Sequence, residues 1–111
     1  SEAQVEALLA APDPDTALGL RDRAMLELLY ASGLRVSELV TLKSVQVGFA
    51  EAALRVTGKG GKERLVPFGE EAHAWLLRYL REARAAILAG QASDALFVTA
   101  RGGAMTRQSF W

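Results

Sequence analysis

Leu54-Arg55-Val56-Thr57-Gly58-Lys59-Gly60-Gly61-Lys62-Glu63-Arg64-Leu65-Val66-Pro67 is the stretch that decides the fold class. Leu54 and Val56 alternate with Arg55 and Thr57, the period of two expected of a strand with one covered face. Leu65 resumes the apolar positions beyond the glycines, and Pro67 ends the run. Between them, Gly58 to Lys62 is rich in glycine, which reaches positive φ and lets a chain reverse tightly. The stretch therefore reads as two antiparallel strands about a turn. Just upstream, Val45 and Val47 show the same alternation and Phe49 to Ala53 supplies a second turn, so a small three-stranded antiparallel sheet is expected.

Helical periodicity surrounds this sheet. Ser1-x-x-Gln4 has the form of a capping box, followed at helical spacing by Val5, Leu8 and Leu9. Pro12 and Pro14 end that helix and open a loop through Gly19. A second helix is expected from about Leu20 to Ser32, with Met25, Leu28 and Leu29 on one face and Gly33 as its left-handed C-terminal cap. Ser37 is the expected cap of a short third helix through Leu39, Val40 and Leu42. Glu70 to Leu88 returns to a 3.6-residue period, with Leu76, Leu80, Ala83 and Ile87 on one stripe beside Trp75 and Tyr79. Leu96-Phe97-Val98 is expected as a short strand, and Thr106 as the cap of one more helix. The fold class is α+β, mainly helical.

Composition narrows the function. Half of the 111 residues are hydrophobic and 23% are charged, the balance of a folded domain. No apolar run approaches the ~20 residues that span a bilayer. Ser1-Glu2-Ala3-Gln4 has neither the basic n-region nor the apolar h-region of a secretion signal, so a cytoplasmic location is expected. The absence of cysteine excludes disulfides and thiolate metal sites, and the single histidine, His73, leaves too few ligands for a zinc or iron centre. Thirteen basic residues balance 13 acidic ones, which by itself argues against a nucleic-acid partner. The distribution is less even. Arg55, Lys59, Lys62 and Arg64 crowd the hairpin against the one acid Glu63, whereas acids gather from Glu2 to Asp15 and at Glu70-Glu71. Such a local basic patch suits a phosphate, and it equally suits a solvated hairpin tip.

Several residues have a chemical reading beside a plain one. Arg35 lies just past a glycine between two helices, where its planar, permanently charged fork can clamp a phosphate. It can also simply offset the dipole at a helix C-terminus. Glu38, three residues on, can reach back to orient Arg35 or make an ordinary surface pair. Lys59 and Lys62 can meet a phosphate or give a proton to a leaving oxygen, or merely solvate a β-turn. The segment is not a Walker phosphate loop, because Val56 stands where that pattern needs glycine and Glu63 where it needs Ser or Thr. His73 suits a surface or interfacial helix position, and Trp75 and Tyr79 suit a core stripe better than base stacking. Thr106-Arg107-Gln108 offers polar groups at a helix start, fit for DNA phosphate or for capping.

Three ordered segments carry a family resemblance. Leu20-Arg21-Asp22-Arg23-Ala24-Met25-Leu26, continuing through Leu29 to Leu39 with Gly33-Leu34-Arg35-Val36-Ser37-Glu38 at its centre, resembles the first catalytic motif of Xer-type tyrosine recombinases of the phage integrase family. Thr57 to Pro67 resembles their β-hairpin motif, and Met105 to Trp111 a later helix start. The resemblance spans nearly the whole chain. It implies the N-terminal half of the catalytic domain of the DNA breaking-rejoining fold, and metal-free, cofactor-free strand exchange on double-stranded DNA. In that family a tyrosine forms a 3′-phosphotyrosyl link, and arginines with histidine or tryptophan stabilise the transition state. By motif, Arg35 is the first catalytic arginine, Lys59 the lysine that protonates the departing 5′-oxygen, and Glu38 a supporting carboxylate. Lys62, Arg64 and Arg107 are implied DNA contacts. Sister recombinase subunits in a tetrameric synapse are the implied partners, in chromosome dimer resolution or DNA integration.

The chain also departs from the family pattern. The later His-x-x-Arg motif, the second histidine or tryptophan and the tyrosine nucleophile are not in it, nor is the N-terminal DNA-clamping domain. Tyr30 and Tyr79 occupy apolar helical positions upstream of where the nucleophile belongs. Residues 1–111 are therefore expected to be inactive alone, since members of such a constellation act as a unit. A non-catalytic DNA-binding module and a protein-interaction domain on the same scaffold are the alternatives.

Overall fold

The computed structural model describes residues 2–105. The expected caps at Ser1 and Thr106, and with them Arg107, lie outside the described residues.

Helix α1 (Glu2–Ala10) leads into α2 (Ala17–Ser32), which begins earlier than Leu20 because Thr16 caps it: Thr16 Oγ1 accepts the Gly19 N–H at 3.0 Å. Gly33 ends it in the left-handed conformation (φ 71°), its N–H donating to Leu29 O at 3.0 Å. Leu20, Ala24, Met25 and Leu28 bury one face of α2 against Ala72, Leu76 and Tyr79 of α4 (Gly69–Glu82). Each such large apolar side chain contributes on the order of 1.5–3 kcal/mol of transfer free energy. A polar clip spans the same two helices. Glu27, only 5% exposed, is held by Arg23 Nη2 at 2.8 Å, and the Arg23 guanidinium lies 4.3 Å from the Trp75 ring centre. Burial without that arginine would strand a charge.

Helix α3 (Val36–Val40) is capped by Arg35 rather than by Ser37, which sits one turn position inside it. The cause is Glu38, whose Oε1 accepts the Arg35 backbone N–H at 3.1 Å. The sheet runs β1 (Val47–Gly48), β2 (Ala53–Thr57), β3 (Glu63–Pro67), antiparallel and in that order. Val45 is not in it. It lies in a 3-10 turn, Ser44–Gln46, and is 80% exposed. In β3 the core side belongs to Val66 and not to Leu65. Val66 pairs with buried Leu54, whereas Leu65 pairs with exposed Arg55 and is itself 62% exposed. Alternation sets the period of a strand, but the cross-strand register sets its phase.

The expected single helix from Glu70 to Leu88 bends at Ala83, with α5 (Arg84–Leu88) beyond it. The hydrogen bonds Ala83 N–H to Tyr79 O and Ile87 N–H to Ala83 O survive the bend, so its cost is small. Leu96-Phe97-Val98 is buried and forms no ladder of its own. Instead Leu96 N–H donates to Leu42 O at 2.9 Å, Ser44 N–H to Asp94 O at 2.9 Å, and Val98 bridges only Ala104. Side chains meet several polar groups in and just before this segment. Arg84 donates to the carbonyls of Ser93, Ala95 and Leu96, and the Tyr79 hydroxyl bridges Leu96 O and Val98 N–H.

Candidate nucleic-acid interface

Arg35 is placed by backbone geometry. The left-handed turn at Gly33 ends α2, buried Leu34 anchors the linker, and Arg35 emerges exposed in extended conformation (φ −74°, ψ 153°) at the start of α3. Its guanidinium forms no hydrogen bond or ion pair with another described side chain. A guanidinium left open in this way keeps its full fork of donors for an external oxyanion.

The second element is the β2–β3 hairpin. Its tip closes with Gly58 N–H donating to Lys62 O at 2.6 Å and Gly61 N–H to Gly58 O at 3.2 Å. Gly60 (φ 77°) and Gly61 (φ 76°) both occupy the left-handed region, which side-chain-bearing residues enter only at a cost. Lys59 and Lys62 flank these glycines, both exposed, and neither ammonium is paired within the described residues. The turn thus projects two exposed cations, each able to meet a phosphate.

Glu38 brings the two elements together. While its Oε1 holds the Arg35 N–H, its Oε2 lies 3.4 Å from Nη2 of Arg64 on β3. Glu38 does not hold the Arg35 side chain. It fixes the Arg35 backbone and leaves the guanidinium outward. Arg64 spends one nitrogen on this carboxylate and keeps its other donors. The pairing joins residues 26 apart in sequence, and no local spacing could have announced it.

Other polar residues settle into structural duties. The His73 ring packs between Phe49 (5.6 Å) and Phe68 (6.3 Å), with Nε2 placed 3.0 Å from Phe49 O to donate to it. Tyr79 is buried, and desolvation pushes its hydroxyl up to about 12 despite the Val98 backbone hydrogen bond and the nearby Arg84 and Arg21 charges. A neutral, doubly bonded phenol in the core is no nucleophile. Tyr30, expected at an apolar helical position, is instead 63% exposed on α2, one step beyond the stripe that meets α4. Arg84 was not legible as important. Its four bonds to carbonyls, as short as 2.6 Å, depend on a loop that only the fold brings near.

The chain is 70% identical over 112 residues to tyrosine recombinase XerD of Ralstonia nicotianae, and 65% identical over 111 residues to tyrosine recombinase XerD of Pseudomonas aeruginosa. Both alignments cover 100% of this chain but only 36% and 37% of those proteins. Among solved structures, XerA recombinase superposes with a TM-score of 0.78 at 28% identity, covering 99% of this chain and 38% of that one. The Tn1549 transposon integrase, solved in complex with circular intermediate DNA, shares the fold with a TM-score of 0.73 at 21% identity, covering 98% and 39%. The family model for phage integrases matches residues 1–111, and the chain belongs to the phage integrase family.

Proposed function

We propose that this chain is the front half of the catalytic domain of a Xer-type tyrosine recombinase that breaks and rejoins double-stranded DNA. The observation that carries the reading is the Glu38 carboxylate, which joins the Arg35 turn to the hairpin bearing Lys59. An open guanidinium and a projecting ammonium, tied through one carboxylate, suit a phosphodiester whose transition state gains negative charge while its leaving oxygen needs a proton.

In the full-length protein, a tyrosine outside this chain attacks the scissile phosphorus, forming a phosphotyrosyl bond at the 3′ side as the bond to the 5′-oxygen breaks. The tyrosine's proton passes to a general base supplied from outside this chain. The electron pair of the broken bond leaves on the 5′-oxygen, which takes a proton from the Lys59 ammonium. Arg35 binds the non-bridging oxygens more strongly as their charge grows. Lys62 contacts the DNA backbone, and Arg107 is assigned the same role on its motif alone. Arg64, which the motif also marks as a DNA contact, has its free donors available for that. Sister subunits assemble with it in a tetrameric synapse, in chromosome dimer resolution or DNA integration, and the cytoplasm is where that DNA lies. No described helix is long and apolar enough to cross a membrane. The chain spans about 36% of the first relatives' length, and alone it is expected to be inactive.

The test uses the full-length protein and a nicked suicide substrate. Arg35→Ala should abolish the covalent protein–DNA complex while leaving most DNA binding intact. Covalent complex formed at the unsubstituted rate would overturn the assignment. DNA binding without any covalent complex in the unsubstituted protein would favour a non-catalytic DNA-binding module. Salt-insensitive binding or none would favour a protein-interaction domain.

A further inference from the structure

We propose that Arg64 is a positioning residue that holds Lys59 at the leaving oxygen, rather than chiefly a DNA contact. The inference rests on the reading of Lys59 as the proton donor. Beyond the backbone bonds that close it, the hairpin tip is exposed to solvent. Residues 59–65 are all exposed, and two of them are glycines with positive φ. A lysine on such a turn samples many positions, whereas proton transfer needs its nitrogen within hydrogen-bond reach of one oxygen.

Arg64 is where the tip is tied down. It pairs across the ladder with Val56, so its Cβ leaves the sheet on the side of buried Val56 and not with outward Arg55 and Leu65. From there Nη2 reaches Glu38 Oε2 at 3.4 Å. Its Nη1 lies on the Gly58 side of the turn, where a Cβ added to that glycine would stand 3.5 Å from it, an ordinary contact distance. Gly58 is the residue before Lys59 and is itself closed onto Lys62. One guanidinium thus sits beside the base of the turn while it pairs with the carboxylate that fixes the Arg35 backbone. Among the described residues this is the only ion pair from the β2–β3 hairpin to a helix. The task needs two nitrogens on a rigid plane, which arginine has and lysine lacks.

The test separates proton donation from every other step. In full-length protein, suicide DNA carrying sulfur in place of the bridging 5′-oxygen loses a thiolate, which needs no proton, so defects in proton delivery vanish on it. Arg64→Ala should slow phosphotyrosyl formation on ordinary DNA by roughly 10- to 100-fold, the range for a misplaced general acid. On sulfur-bridged DNA its rate should return to near that of the unsubstituted protein, which also shows that the variant is folded. Glu38→Gln keeps an acceptor for the Arg35 N–H but removes the charge facing Arg64, so it should show the same pattern, more weakly. Arg64→Lys should not restore the ordinary rate. Lys59→Ala is the reference, and it must itself be rescued by sulfur. If it is not, the reading of Lys59 fails. If it is rescued while Arg64→Ala stays slow on both substrates, or is slow on neither, the positioning role is overturned and Lys59 stands.

Discussion

Replacing Tyr79 with Phe removes a single oxygen from the core and should expose how the Leu96–Val98 segment is held. The hydroxyl donates to Leu96 O at 2.8 Å and accepts from Val98 N–H at 3.3 Å, and all three groups are buried. Tyr79→Phe leaves the Val98 amide without that partner and the Leu96 carbonyl with only Arg84 Nε at 3.3 Å, a loss of about 1–3 kcal/mol. For a chain of this length, about 2 kcal/mol lowers the midpoint of thermal unfolding by roughly 9 °C. The hydroxyl adds a pH signature. Its folded value is raised from 10.0 to about 12, chiefly by desolvation, so the folded state keeps the proton more tightly than the unfolded one. The contribution of the protonated hydroxyl is complete below pH 10 and falls as pH rises towards 12. Over that window unfolding releases a proton, and roughly 2–3 kcal/mol is lost. Tyr79→Phe lacks this group, so the gap between variant and parent should be widest near neutral pH and narrow above pH 10. Denaturant unfolding followed by circular dichroism across pH 7 to 11.5 measures it, with Tyr30→Phe in both backgrounds to remove the other tyrosine. Parallel stability curves through that range would refute the argument, as would a variant as stable as its parent at neutral pH.

Arg84→Ala should cost about 1.5–3 kcal/mol, because it strips charged hydrogen bonds from three loop carbonyls. Faster hydrogen exchange at Ala95 and Leu96 would accompany it, and unchanged exchange there would count against the clamp. Met25→Ala, wholly buried between α2 and α4, should destabilise by about 2–5 kcal/mol in chemical denaturation, and a loss under 1 kcal/mol would mean the site collapses around the gap. Lys62→Ala should weaken DNA binding similarly on all sequences and lower the slope of log affinity against log salt by about 1. A slope equal to the parent's would remove Lys62 from the interface.

The sheet's existence, the α2 stop at Gly33 and the exposed hairpin with its lysines were legible because each rests on local chemistry. Period-two alternation, a left-handed glycine and a glycine-rich turn act over a few residues. The residues proposed for the site, Arg35, Glu38, Lys59, Lys62 and Arg64, were marked out only by motif resemblance, since charge alone fits a solvated hairpin equally well. Other features were set by contacts between distant segments. Leu65 faces outward because β3 is registered so that Val66 meets Leu54. Val45 leaves the sheet because the Gln46 side chain takes both the Lys43 N–H and the Arg55 carbonyl, ending the ladder early. Ser37 yields the cap to Arg35 because Glu38 supplies the acceptor. The sequence by itself thus determined which residues could turn, alternate and carry charge. Tertiary structure decided which partner each charge took, since Arg64 finds Glu38, and Arg84 its three carbonyls, only when separate elements converge in space.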